Sequence, residues 1–197
     1  MQNLNYILGI DYGAKLAGTT VIAYIRNNQI TFLQSTKKQD ADILIQKFIA
    51  QNDVHLIGLD APLSLPQIYT NPTQGTDYFY RMADKLLGAM SPMFLGGLTA
   101  RAMQLSAYCK KKGIDVIEVY PAAIAKRWDL EQFEYKKSFR FISQICDVIQ
   151  EKTGYSFSEE IHNWHQIDAV LALTSALRYH ASEADSFGDV SEGVIWV

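Results

Sequence analysis

The stretch "ILGIDYGAKLAGTTVIAY", residues 7–24, decides the fold. An apolar run ends abruptly in Asp11, passes through a turn carrying Gly13 and Gly18, and resumes as a second run from Thr19 to Ile25. An acid at the end of a buried strand is costly unless a turn, a partner or a metal uses it. The neighbouring strands and the other acids of the chain bear on which of these applies.

Working outward, Leu4 to Asp11, Thr19 to Ile25 and Ile30 to Gln34 read as three strands. "RNNQ", Arg26 to Gln29, is a tight hairpin signal between the last two, so the three form an antiparallel meander. Helical spacing follows at Ile43, Leu44, Lys47 and Phe48, with Asp40 as its cap. A fourth strand, Val54 to Asp60, is stopped by Pro62 and Pro66 in "LDAPLSLP". Residues 64–98 read as an irregular excursion with a short helix near Asp77 to Leu87. Thr99 to Gly113 is a helix closed by "KKKG", and "IDVIEVYP" is a fifth strand. Helices are expected at Tyr135 to Lys152 and Trp164 to Ser182, and a short closing strand at "GVIWV". The expected architecture is therefore α/β: one domain, residues 1–197, built on a five-stranded mixed sheet. Its order is 3-2-1-4-5, because right-handed crossovers link strands 1, 4 and 5, and helices cover both faces.

Composition bounds the function. A 197-residue chain that is 48% hydrophobic supports one core and argues against disorder. The apolar run Tyr6 to Ile10 is too short to span a bilayer and lacks a basic flank, which excludes a membrane role. The two cysteines, Cys109 and Cys146, lack metal-ligand spacing, which points to a reduced, cytoplasmic protein without structural zinc. The net charge of -3 is unevenly spread: residues 81–140 hold 11 of the 18 Lys and Arg and carry +5, leaving -8 elsewhere. A basic face and an acidic cluster account for that split, as do solvated helix faces.

The acids form the candidate site. Asp11 and Asp60 end strands 1 and 4, Glu118 lies on strand 5, and the C-terminal ends of parallel neighbours are where open α/β sheets present ligand sites. Asp168, in "IDAVLALTSAL", lies on the apolar stripe of its helix, and His165 one turn earlier shares its direction. Gly9 and Gly58 each lie two residues before an acid, leaving room for that small-residue helix to approach. Clustered carboxylates raise one another's pKa unless a cation neutralises them, and hard oxygen donors suit Mg²⁺ or Mn²⁺. Asp11, Asp60 and Asp168 are the expected metal ligands, serving phosphodiester hydrolysis. Each acid read singly is also an ordinary turn or helix-start residue.

At these residues the chain resembles the ribonuclease H-like fold, and more specifically the DUF429 family of predicted nucleases. The motifs that carry the resemblance are "GIDYGAKLAGTTV", "IGLDAPLSLP", "RMADKLLG", "IEVYPAA", "IDAVLALTSA" and "EGVIWV", in order along nearly the whole chain. The first also looks like that of Holliday-junction resolvase-like proteins. The resemblance implies a metal-dependent nuclease site on Asp11, Asp60 and Asp168, with Glu118 as a fourth acid and His165 beside them. Arg81 and Asp84 match the family's Arg-x-x-Asp pattern, as substrate contacts or as a mutual pair. Lys15, Arg101 and Lys126 are expected to hold phosphates of DNA or RNA, and a branched substrate calls for a homodimer.

Two other functions fit the same sequence. "DYGAKLAGTT" also looks like the phosphate turn of the actin and sugar-kinase superfamily, an ATP-binding phosphotransferase. Tyr78, Phe79, Tyr80, Met90, Met93 and Phe94 suit a non-catalytic, partner-binding protein.

Overall fold

The computed structural model describes residues 6–197, so Leu4 and Asn5, assigned above to the first strand, lie outside the described residues. Strands β1 (Tyr6–Asp11), β2 (Val21–Arg26) and β3 (Gln29–Gln34) form the antiparallel meander. Asn27 and Asn28 turn the hairpin with φ of 49° and 62°, the left-handed pair that a two-residue connection requires. Helix α1 (Ala41–Gln51) starts where Asp40 accepts hydrogen bonds from the amides of Asp42 and Ile43. Strand β4 (Val54–Asp60) then lies parallel to β1.

The excursion contains two short helices, α2 (Met82–Leu87) and α3 (Pro92–Leu95). The first begins later than Asp77 because the Asp77 carboxylate instead closes a turn on the amides of Phe79 and Tyr80. Helix α4 (Gly97–Lys110) leads to β5 (Asp115–Val119), parallel to β4, and Pro121 opens a helix, α5 (Pro121–Arg127). The helix expected at Tyr135 to Lys152 begins only at Ile142, as α6 (Ile142–Thr153), because Glu134 and Lys136 adopt left-handed φ of 56° and 59°. Strand β6 (Ser156–Phe157), helix α7 (Trp164–His180) and the hairpin β7 (Ser186–Asp189) and β8 (Gly193–Trp196) complete the chain.

The sheet has eight strands, not five, in the order β6-β3-β2-β1-β4-β5-β8-β7. Its inner five follow the expected order. The additions sit at the two edges: β6 pairs with β3 through only two residues, and β8 pairs with β5 while carrying β7 outside it. Of these, β8 is the closing strand expected at "GVIWV", whereas β6 and β7, two and four residues long, have too little periodicity to be read as strands in isolation. Among the described residues no helix is long and apolar enough to cross a membrane.

Strand alternation splits the core in two. Leu8, Ile10, Ile22, Tyr24, Ile57 and Leu59 face α1 and α4, meeting Ile45, Phe48, Ala102 and Leu105. Val21 and Ala23 face the other way, onto α7. Gly9 and Gly58 lie under α7 so closely that a Cβ on Gly9 would sit 2.0 Å from the Leu173 amide nitrogen and 2.3 Å from the Ala169 carbonyl, and one on Gly58 would sit 2.7 Å from the Ala172 carbonyl. Backbone atoms cannot step aside as side chains do. Gly9→Ala is therefore expected to cost about 3 kcal/mol. Urea unfolding measures it, and a loss below about 1 kcal/mol would mean that α7 floats on the sheet instead of being seated.

Candidate active site

The parallel register of β1 and β4 pairs Asp11 directly with Asp60, so two carboxylates leave neighbouring strand ends on the face that α7 covers. The approach of α7 over Gly9 and Gly58 brings the 4%-exposed Asp168 above them. Its N-terminal turn, capped by Asn163 on the Gln166 amide, brings His165 to the same place. His165 Nδ1 lies 2.7 Å from Asp11 Oδ2. Asp168 is bound on both oxygens: the buried Tyr135 hydroxyl donates to Oδ1, and Lys136 Nζ lies 2.7 Å from Oδ2. Asp60 is half-buried and accepts no hydrogen bond from the described residues.

Electrostatics follow from that crowding. Burial, then the charges of Asp11 and Asp168, push Asp60 well above the usual carboxylate range. Burial likewise raises Asp168, and the opposing pull of Lys136 and Tyr135 does not fully offset it. Burial alone would lower Lys136, but the charge and hydrogen bond of Asp168 together with the charges of Asp60 and Asp11 outweigh it and the net shift is upward. The hydrogen bond to Asp11 raises His165 above the ordinary histidine value of 6.5. A folded-state pKa above the unfolded one gives stability that is complete below 6.5 and lost as pH rises through the raised value. The melting-temperature deficit of His165→Gln in chelator is thus expected to be largest near pH 6 and to shrink toward pH 9. A pH-independent deficit would show that the imidazole matters here for packing alone.

A cavity of about 240 Å³ opens beside Asp11 and Asp60, walled by Tyr12, Pro62, Met90, Leu95, Leu98 and Tyr120. The excursion thus supplies one side of it. Tyr120 also borders a larger cavity of about 530 Å³ that contains Lys126 and Arg127. The two cavities share Tyr120 in their walls.

The other expected site residues are placed differently. Glu118, expected as a fourth acid of the cluster, pairs in register with Leu59, one position short of Asp60, and borders the same cavity as Asp11 and Asp60. Arg81 takes it, with Nη1 at 2.7 Å from Oε2 and Nη2 at 2.5 Å from Oε1, while the Leu63 amide donates to Oε2. Arg81 and Asp84 are corrected as substrate contacts, since both are buried and bind each other, with Ser64 accepting a further bond from Arg81. Arg101 grips Asp42 through two nitrogens, donates to the Gly13 carbonyl and lies over the Tyr12 ring. That fixes the turn after Asp11. Lys15 pairs with Asp40 but remains half-exposed. His55 and His180, for which the sequence offers no partner, meet edge to face.

The residues that sequence reasoning missed are Tyr135 and Lys136. Both fall in a segment read as helix, where they would point elsewhere, and only the adjacent "KK" hinted at a cation. Among the described residues, no group of three or more His, Cys, Asp or Glu side chains is gathered closely enough to hold a metal ion.

No family model matches the chain, and no curated protein does. A solved structure, T. thermophilus RuvC in complex with Holliday junction substrate, aligns with 91% of this chain and 98% of its own at 11% identity and a TM-score of 0.48. Likeness of that degree assigns no residue a role.

Proposed function

We propose that the protein is a ribonuclease H-like nuclease that hydrolyses phosphodiester bonds of DNA or RNA with Mg²⁺ or Mn²⁺ held by Asp11, Asp60 and Asp168. The observation that carries this reading is the pairing of Asp11 with Asp60 at adjacent strand ends beneath Asp168. Such a cluster cannot be fully ionised without a cation. The chemistry of the donor set suits a hard divalent ion: every proposed ligand atom is a carboxylate oxygen, and Asp60 has no competing hydrogen bond among the described residues.

Held by these three carboxylates, the ion would supply an acidified water and a Lewis acid for the leaving oxygen. The chain's own residues do the rest. His165, fixed through Nδ1 by Asp11 and with 42% of its side chain exposed, offers Nε2 as the proton-transfer atom. Lys126 and the half-exposed Lys15, which would leave its Asp40 pair, serve as cations for backbone phosphates, while Arg101 positions the Asp11 turn. Met90, Leu95 and Leu98 give the cavity an apolar wall on one side. A homodimer belongs to this reading if the substrate is branched, and sedimentation with and without DNA tests it.

Partner binding without catalysis is the second reading, favoured by Tyr78, Phe79, Met90 and Phe94, which are 53–63% exposed. Calorimetric titration of Mn²⁺ into wild type and Asp11→Asn, followed by incubation with labelled single-stranded, duplex and branched DNA and RNA, separates the two. Nuclease function requires metal binding that the variant weakens and cleavage that it loses. Equal weak binding and no cleavage leave the partner-binding reading.

A further inference from the structure

The loop between the short 3-10 turns at Leu130–Phe133 and Phe139–Phe141 aims two consecutive side chains at one carboxylate. Glu134 and Lys136 both hold left-handed φ, which side-chain-bearing residues adopt only at a cost, and they bracket Tyr135. A regular helix would have sent Tyr135 and Lys136 about 100° apart. The kinked path instead lets the Tyr135 hydroxyl and the Lys136 ammonium reach the two oxygens of Asp168. The two donors differ in freedom. Tyr135 is buried, whereas 47% of the Lys136 side chain is exposed. An ammonium on a flexible four-carbon stem can leave for water, as the buried guanidinium of Arg81 cannot.

Building on the metal-dependent reading above, we propose that Lys136 is a built-in counter-ion that competes with the divalent cation for Asp168. In the cation-free protein the ammonium neutralises the carboxylate that α7 drives down onto Asp11 and Asp60. A divalent ion entering between those acids meets an ammonium 2.7 Å from one of its ligands and has to displace it. Charges of +2 and +1 a few ångströms apart repel strongly even at an effective dielectric of about 20, so the lysine lowers the affinity of the site while keeping it assembled when empty. Lys136 thus acts through Asp168 as a positioning residue.

The test is calorimetric titration of Mn²⁺ into wild type, Lys136→Met, Lys136→Arg, Asp168→Asn and the Lys136→Met/Asp168→Asn double variant. Melting curves in chelator accompany each titration. Lys136→Met keeps the length of the stem and removes the charge. It is expected to bind Mn²⁺ about tenfold tighter than wild type and to melt lower in chelator, with added Mn²⁺ restoring more stability than in wild type. Lys136→Arg keeps the charge and is expected to stay within about threefold of wild type, which shows that the loop tolerates substitution. In the Asp168→Asn background the same Lys136→Met change is expected to alter affinity less than twofold, because the contested ligand is gone. Equal or weaker Mn²⁺ binding by Lys136→Met, with wild type binding normally, overturns the counter-ion proposal and leaves the metal reading standing. Absence of Mn²⁺ binding by every form overturns both.

Discussion

Replacement of Arg81 by Met is expected to lower the unfolding free energy by about 3–5 kcal/mol, the cost of stranding buried charges that have lost their partner. Arg81 is fully buried and satisfies two carboxylates at once: Glu118 through both terminal nitrogens, and Asp84 through Nη2 at 2.6 Å and Nε at 3.2 Å. Burial pushes the Glu118 carboxyl up even with the guanidinium in place, so without it the group must either bind a proton or remain ionised and unpaired. Asp84 also accepts from the Arg81 backbone amide at the start of α2, so the residue ties the excursion to β5 as well as balancing charge. Arg81→Lys is expected to recover little, because a single ammonium cannot replace two forked contacts. Replacing all three residues together by apolar side chains of similar volume is expected to cost far less than Arg81→Met. Urea unfolding of the three variants decides the matter. An Arg81→Met loss below about 1 kcal/mol would mean that water reaches the pair and that the excursion is held by other contacts.

The second large effect concerns activity and stability in opposite directions. Asp60→Asn is expected to abolish metal-dependent cleavage, by at least about a hundredfold, since changes merely to groups around metal ligands already cost that much. In chelator, however, the same variant is expected to melt at or above the wild-type temperature near pH 7. The sign follows from linkage. The Asp60 pKa is raised on folding, so the native protein carries a cost that appears as pH climbs above the unfolded value of 3.8 and is absent below it. The amide removes that cost, and the advantage of the variant over wild type is expected to vanish toward pH 3. A marked destabilisation at neutral pH would instead identify Asp60 as a turn-forming residue of the "DAP" segment, and the loss of activity would then say nothing about metal.

Much of this arrangement is legible without coordinates. The meander, the parallel crossovers to β4 and β5, and the burial of the α7 stripe follow from apolar periodicity, turn residues and the handedness of crossovers. Glycines two positions before Asp11 and Asp60 announce a close helix, and the Gly9 and Gly58 contacts with α7 are its consequence. These are local or pairwise rules, and one-dimensional patterns carry them well.

Three features needed the tertiary structure. The first is register: Glu118 stands beside Leu59, one position short of Asp60, and only the folded chain shows that its carboxylate, though it borders the same cavity, is held by Arg81. The second is backbone conformation at Glu134 and Lys136, whose left-handed φ interrupts a segment of helical composition and aims Tyr135 and Lys136 at Asp168. The third is partnership among charges. The sequence alone supplied acids at strand ends and a basic middle third. Which carboxylate Arg81 neutralises, and which Lys136 holds, depends on burial and on distances of a few ångströms that the folded chain sets.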